Sequence, residues 1–155
     1  IRDLVRSRGL GDVYKRQDKL HPSSVLEFGF GMGWTATEFQ EQGVKRHVIL
    51  EPNKEVYQMA LDWKDNYDTD IEILNIFSWE FETDEKFDIV LSNILANILI
   101  SLSNNFEKIT KNELLLSGIL LNQVDQIIRE YKPWIQLDLI DQEDGWCLLY
   151  GKLKS

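Results

Sequence analysis

The stretch Ser24-Val-Leu-Glu-Phe-Gly-Phe-Gly-Met-Gly33 decides the fold, because a short apolar run passes directly into three glycines at alternate positions. The residues that follow, Trp34 to Gly43, are typical of a helix that ends on a glycine. Glycines let the backbone turn tightly and approach a ligand, and the first turn of a helix offers unpaired N–H groups. This order of strand, glycine turn and helix indicates the start of a nucleotide-binding βαβ unit. The alternative is a turn with a structural role only.

The spacing of the glycines separates two classes of ligand. A dinucleotide site needs Gly-x-Gly-x-x-Gly, whose last glycine allows close packing beside the pyrophosphate, but position 34 is tryptophan. The third glycine stands at position 33, and Glu-x-Gly-x-Gly-x-Gly resembles the first motif of class I S-adenosylmethionine-dependent methyltransferases. The resemblance implies that residues of this motif hold the cofactor: Glu27, Gly29, Phe30, Gly31 and Gly33.

Length and composition bound the function. A chain of 155 residues predicts one domain, and a net charge of −9 argues against a direct nucleic-acid partner. The single cysteine, Cys147, fits a reducing cytoplasm, and no apolar run is long enough to span a membrane. His21 and His47 lie far apart without metal-ligand spacing, so we expect no metal site. We also expect a monomer.

The first seventeen residues differ from the rest. They contain five basic and two acidic residues, so that they carry +3 and leave −12 for residues 18–155. The run from Gly9 to Gln17 resembles translated adapter tails at the ends of assembled environmental reading frames. We therefore expect residues 1–17 to be a non-native or disordered tail and residues 18–155 to be an N-terminally truncated methyltransferase domain. The alternative is a basic N-terminal arm.

Alternating strands and helices follow the glycine motif. One helix has a stripe at Val56, Met59, Ala60, Trp63 and Tyr67, which we expect to lie in the core. Phe87 to Asn93 is a continuous apolar run, typical of a strand buried on both faces of a parallel sheet. The other predicted strands are 46–51, 71–76 and 114–117, and the later helices are 98–109 and 123–131.

The chain then changes pattern. Residues 135–139 alternate, Glu143-Asp-Gly145 is a turn, and a strand over 146–153 follows with no room for a crossover helix. Two strands joined by so short a turn must be antiparallel. The predicted fold is α/β, a Rossmann-like class I methyltransferase sheet that is mostly parallel with a C-terminal antiparallel hairpin. A plain dehydrogenase domain does not end this way.

In such a sheet the ligand lies beyond the carboxyl ends of the strands, at the point where the strand order reverses. Glu51 ends the second strand, where a carboxylate is needed to bind two ribose hydroxyls; the alternative is a solvated acid. Phe77, with Trp79, is expected to flank the adenine, although core packing explains both residues nearly as well.

Asn93 is the candidate catalytic residue, and it is also counted among those that contact the cofactor. Its carboxamide oxygen closes an apolar strand at the ligand edge, where it can accept a hydrogen bond from an amine and direct the nitrogen lone pair toward the methyl group. The alternative is a helix N-cap. Asp88, at the opposite end of the same strand, is expected to be structural, and neither histidine has a neighbour that would make it a base.

The second half of the chain resembles bacterial PrmA-type methyltransferases, which methylate amino groups of a large-subunit ribosomal protein. The residues concerned are Phe87-Asp-Ile-Val-Leu-Ser-Asn-Ile-Leu-Ala-Asn97, Leu115-Leu-Ser-Gly-Ile-Leu120 with Gln123, and Glu143-Asp-Gly-Trp146. Lys111-Asn-Glu113 departs from the usual Pro-Gly-Gly, and the family's N-terminal recognition domain is not found. The first half is more similar to the guanidinoacetate and arginine N-methyltransferases.

The resemblance implies an N-methyltransferase that uses S-adenosyl-L-methionine and acts on a protein amine, with a ribosomal protein as the expected partner. Three alternatives stay open. They are a methyltransferase for small guanidino or amine compounds, a nicotinamide dehydrogenase domain, and an inactive cofactor-binding fragment.

Overall fold

The computed structural model describes residues 22–154, so the predicted tail at 1–17 and His21 lie outside the described residues. This part of the chain forms seven strands and five α-helices, in the order β1 (Ser24–Phe28), α1 (Trp34–Glu41), β2 (Arg46–Leu50), α2 (Lys54–Lys64), β3 (Asp70–Leu74), β4 (Phe87–Asn93), α3 (Ala96–Ser101), α4 (Ser103–Ile109), β5 (Thr110–Leu120), α5 (Val124–Tyr131), β6 (Leu137–Glu143) and β7 (Trp146–Lys152). Short 3₁₀ turns at Ser78–Glu80 and Leu121–Gln123 complete the described elements.

All seven strands form one sheet in the order β3-β2-β1-β4-β5-β7-β6. The first five are parallel, while β7 runs antiparallel to both β5 and β6. The predicted fold class is therefore confirmed, including the antiparallel hairpin at the C-terminal end, whose last strand lies beside β5. The strand order reverses between β1 and β4, so their carboxyl ends border a crevice.

Helices cover both faces of the sheet. On one face Leu99, Phe106 and Ile127, from α3, α4 and α5, pack in a large apolar cluster with alternate residues of the central strands. On the other face α1 and α2 cover smaller clusters that contain Phe39 and Ala60. Burial on both faces explains why β4 reads as an unbroken apolar run.

Three sequence predictions about these elements are wrong. The helix predicted over 98–109 is two helices that meet at Leu102, and the strand predicted over 114–117 extends over Thr110–Leu120. The stripe on α2 is only partly core. Ala60 is buried, whereas Met59 is 46% exposed, because Met59 lies beside, and not within, the row of α2 side chains that faces the sheet.

No helix within residues 22–154 is both long and apolar enough to cross a membrane. The same residues contain no group of three or more His, Cys, Asp or Glu side chains arranged to hold a metal ion.

Candidate active site

A cavity of about 570 Å³ opens at the carboxyl ends of β1, β2 and β4. The glycine turn forms one wall and Glu51 lies beside it, while Asn93 borders the side formed by β4. Phe77 and Trp79, from the segment after β3, complete the rim. Residues that are distant in sequence therefore meet at the crevice expected from the strand order.

The glycine turn depends on its glycines. Gly29, Gly31 and Gly33 all have positive φ, at 100°, 57° and 77°, in the region that side chains with a Cβ disfavour. A Cβ on Gly33 would also lie 2.4 Å from the ring of Phe30. The turn is thus shaped by both backbone conformation and packing, and it leads directly into α1.

Glu51 points toward this turn. One carboxylate oxygen accepts the backbone N–H of Phe30 at 2.9 Å, and the other accepts that of Asn53, also at 2.9 Å. The residue is only 7% exposed, which excludes the alternative of a solvated strand-end acid. Each oxygen retains a lone pair, so that this anchored carboxylate can still accept hydrogen bonds from two hydroxyl groups.

Phe30 borders the cavity, but its ring belongs to the core. The ring centroid lies 5.4 Å from that of Trp63, and the residue is 6% exposed. The backbone N–H is therefore the group through which Phe30 shapes the site, because it anchors Glu51.

Two aromatic rings stand at the rim. Phe77 and Trp79 are 48% and 55% exposed, and their rings stack with centroids 4.6 Å apart and planes inclined by 4°. This exposure excludes the alternative of core packing for both residues. Their place at the rim leaves an apolar surface that a flat ring can contact.

Asn93 retains an unused hydrogen-bonding group. Its Oδ1 atom is buried, and no described residue donates a hydrogen bond to it. The residue at the N-cap of α3 is Leu95, without a side-chain hydrogen bond, so the helix-cap alternative for Asn93 is wrong. Gly118 of β5 lies so close that a Cβ there would be 3.1 Å from Asn93 Oδ1. A buried polar atom without a partner is costly unless a ligand supplies one.

His47 has a buried carboxylate partner that was not predicted, although this partner does not make it a base, because its other ring nitrogen lies 2.9 Å from Nε2 of Gln40. The Nε2 atom of His47 lies 2.8 Å from Oε1 of Glu27, and both side chains are buried. Glu27 itself lines the cavity. The two residues are 20 positions apart, on adjacent parallel strands in which Val25 pairs with His47 and Glu27 with Ile49. The sequence contained one indication of this contact: Glu27 and His47 are polar residues that face the same side of two otherwise apolar strands.

The charge of the cavity limits its ligands. Glu27 and Glu51 are the two charged side chains among the described lining residues, and none of these residues is Lys, Arg or His. Two carboxylates in a partly enclosed space repel a pyrophosphate and attract a cation. The site therefore fits a positively charged nucleoside better than a dinucleotide.

Comparison with known proteins agrees with this geometry. The family model for ribosomal protein L11 methyltransferase (PrmA) matches residues 13–154. A ribosomal protein L11 methyltransferase of Marinobacter nauticus is 28% identical over 133 residues, which are 84% of this chain and 45% of the relative. One from Histophilus somni is 30% identical over 134 residues, 85% of this chain and 45% of the relative. The chain thus spans a little under half the length of the curated relatives it matches.

Two solved structures share the fold. A ribosomal protein L11 methylase of Lactobacillus delbrueckii has a TM-score of 0.79 at 24% identity, covering 94% of this chain and 78% of its own. The N-methyltransferase NodS of Bradyrhizobium japonicum, in complex with S-adenosyl-l-homocysteine, has a TM-score of 0.77 at 13% identity, covering 97% and 87%. Because the family model matches nearly the whole chain, this protein belongs to the ribosomal protein L11 methyltransferase (PrmA) family.

Proposed function

We propose that this chain is the catalytic domain of an S-adenosyl-L-methionine-dependent N-methyltransferase that acts on amino groups of a ribosomal protein. The observation that carries the proposal is a cavity with two buried carboxylates and no basic residue among its described lining residues, beside a left-handed glycine turn. Family membership and the S-adenosyl-l-homocysteine complex of the structural neighbour NodS support it. A ribosomal protein acceptor and the single thiol of Cys147 both fit the cytoplasm.

Each chemical part of this cofactor has suitable residues in the cavity lining. Glu51 would bind the ribose hydroxyls, because its oxygens are anchored by backbone N–H groups and retain free lone pairs. Phe77 and Trp79 would contact the adenine. Gly29, Gly31 and Gly33 would let the backbone approach the amino-acid part, and Glu27, which lines the same cavity, would lie near it. When bound, the cofactor supplies a methyl group on a positively charged sulfur.

Asn93 would position the acceptor. Its carboxamide oxygen can accept an N–H from the incoming amine and hold the nitrogen lone pair in line for transfer. The same oxygen favours the positive charge that develops on nitrogen. The cavity lining contains no Lys or His among the described residues, so we expect the amine to lose its proton to solvent before it enters.

Calorimetric titration with S-adenosyl-L-methionine tests the cofactor assignment. We expect micromolar affinity and no comparable binding of NAD, because the carboxylates oppose a pyrophosphate. Tighter binding of NAD would overturn the proposal.

Asn93→Ala tests the catalytic assignment. We expect cofactor affinity within about threefold of the original and a loss of about 100-fold or more in transfer of labelled methyl to ribosomal protein L11. Transfer should be measured on the full-length protein. Asn97→Ala is the matched control, since Asn97 is an exposed amide four residues further on. Equal transfer by both variants would show that Asn93 does not position the amine. Methylation of guanidinoacetate but not of the protein would favour the small-molecule alternative.

A further inference from the structure

A chain of hydrogen bonds connects the surface of the protein to the cavity. The hydroxyl of Thr69 lies 2.7 Å from Oε1 of Gln40, and Nε2 of Gln40 lies 2.9 Å from Nδ1 of His47. Nε2 of His47 is in turn 2.8 Å from Oε1 of Glu27, which borders the cavity. The four residues come from α1, β1, β2 and the loop before β3. We call them the Thr69–Glu27 relay.

The contacts assign a donor and an acceptor at each step from Gln40 to Glu27. The amide nitrogen of Gln40 faces His47 and can only donate, so Nδ1 of His47 accepts and Nε2 donates to Glu27. The hydroxyl of Thr69 donates to the amide oxygen of Gln40. This bond holds the Gln40 side chain, whose amide nitrogen lies beside His47.

Packing holds the imidazole in place. His47 is completely buried, and the rings of Phe39 and Trp63 lie 6.0 and 6.2 Å from it with planes nearly perpendicular to its own. Glu27 is 1% exposed. Since water has little access here, the donor that His47 provides is not readily replaced, and a buried carboxylate without a donor is strongly disfavoured.

We propose that His47, Gln40 and Thr69 are positioning residues that hold the Glu27 carboxylate toward the cationic part of the bound ligand. The inference rests on the proposed function, because it needs a cationic nucleoside in the cavity. Glu51 and the aromatic rim, by contrast, would contact the neutral ribose and adenine of such a ligand. Damage to the relay should therefore weaken binding of a charged ligand and leave a neutral adenosine analogue unaffected.

The first experiment compares two ligands by calorimetry. S-adenosyl-L-methionine carries the cationic groups, whereas 5′-methylthioadenosine retains the nucleoside and the sulfur but is neutral. For His47→Leu we expect a loss of about tenfold in affinity for the first, since one charge-assisted hydrogen bond is removed, and a change of less than about twofold for the second. For His47→Gln we expect affinities near the original values, because glutamine can both accept from Gln40 and donate to Glu27.

The second experiment uses the exposed end of the relay, where folding is not at risk. Thr69→Val removes the hydroxyl, and we expect a loss of about twofold to threefold for S-adenosyl-L-methionine alone. Thr69→Ser should keep the original affinity. Thr83→Val is the matched control, since the Thr83 hydroxyl accepts the backbone N–H of Glu85 at 3.1 Å in a loop outside the relay.

The outcomes separate the two proposals. If the unaltered protein binds neither ligand, the proposed function fails and this inference fails with it. If the protein binds S-adenosyl-L-methionine but the His47 and Thr69 variants bind it equally well, the relay has no positioning role. Parallel losses for both ligands, accompanied by a lower melting temperature, would show a structural role only.

Discussion

At the amino-terminal edge of the sheet, carboxylates meet cations and backbone N–H groups, whereas at the carboxyl-terminal edge they meet a cavity. Asp88 accepts hydrogen bonds from the N–H groups of Ser23 and Ser24 and pairs with Lys111 at 3.0 Å. Arg46 at the start of β2 lies within 3.3 Å of three acids, Asp70, Glu72 and Glu85. These contacts join the starts of neighbouring strands.

At the carboxyl-terminal edge, carboxylates have different hydrogen-bond partners. Glu27 accepts from the imidazole of His47 and Glu51 from two backbone N–H groups, and no described Lys or Arg forms an ion pair with either carboxylate. Asn93 has a buried oxygen to which no described residue donates. Asp88 and the three acids around Arg46 therefore have cationic partners at one edge, whereas Glu27 and Glu51 have no Lys or Arg partner among the described residues at the other. The second edge also opens into a cavity, where a cationic ligand can pair with these carboxylates.

The largest effect that the comparison predicts is at Glu51. We expect Glu51→Ala to weaken binding of S-adenosyl-L-methionine by about 100-fold, because two hydroxyl contacts and the anchor of the glycine turn are lost together. Calorimetry measures this. Glu55→Ala removes the same charge from an exposed position in the first turn of α2 and should leave the affinity unchanged. Equal affinity of both variants for S-adenosyl-L-methionine would show that the carboxylate at the carboxyl-terminal edge does not bind the ligand.

A smaller effect is expected where β5 passes Asn93. Gly118 has a φ of 79°, and a Cβ there would lie 2.7 Å from the backbone oxygen of Ile94. Gly43, before β2, has a similar φ of 83° but nothing within 4 Å. Both alanine variants carry the same backbone strain, and only Gly118→Ala adds a clash. We therefore expect it to lower the free energy of unfolding by about 2 kcal/mol more than Gly43→Ala, measured in urea. If Gly118→Ala lowers the free energy of unfolding less than Gly43→Ala does, then β5 does not pack closely against Asn93 and Ile94.

The smallest effect is expected at the amino-terminal edge. Burial opposes ionisation of Asp88, but hydrogen bonds from Lys111, Ser23 and Ser24 outweigh it and hold the pKa of this carboxyl below its ordinary value. A lowered pKa adds stability that is fully present above the ordinary value of 3.8 and is lost as the pH falls through the lower folded value.

We therefore expect Asp88→Asn to reduce the free energy of unfolding by about 1 kcal/mol at pH 7, with a gap that narrows below pH 4. Urea unfolding across this pH range measures it, and Asp84→Asn, in the exposed loop before β4, is the control. Cofactor affinity should not change. A gap that widens in acid would show that the Asp88 contacts do not favour the charged form.

Much of the fold could be predicted because it is encoded locally. β4 was predicted to the residue, since its apolar run ends at Asn93. The hairpin followed from Asp144 and Gly145, whose positive φ values are those of a tight turn. The break at Leu102 has no glycine or proline to signal it. It lies beside Ser103, whose hydroxyl accepts a hydrogen bond from Trp134, a contact across 31 residues that no local pattern reveals.

The residues of the candidate site could also be predicted only in part. The sequence indicated the glycines, Glu51 and Asn93 because each lies at or directly after the end of a strand at the ligand edge. Their roles stay predictions. The bond between His47 and Glu27 was missed because it joins the interiors of two strands and depends on their register. The length of β5 was underestimated because Thr110 and Lys111 are polar, and pairing across the sheet, rather than their propensity, makes them part of a strand.

The position of β7 has a consequence for how the protein is made. Synthesis from the amino terminus delivers β7 after the other six strands, yet β7 pairs with both β5 and β6. Until it emerges, the parallel strands can assemble but one side of β5 stays open, and β6 has no described partner. An open strand edge readily captures another chain. The interval before the hairpin closes is therefore the stage of biosynthesis at which a chaperone would protect this protein most.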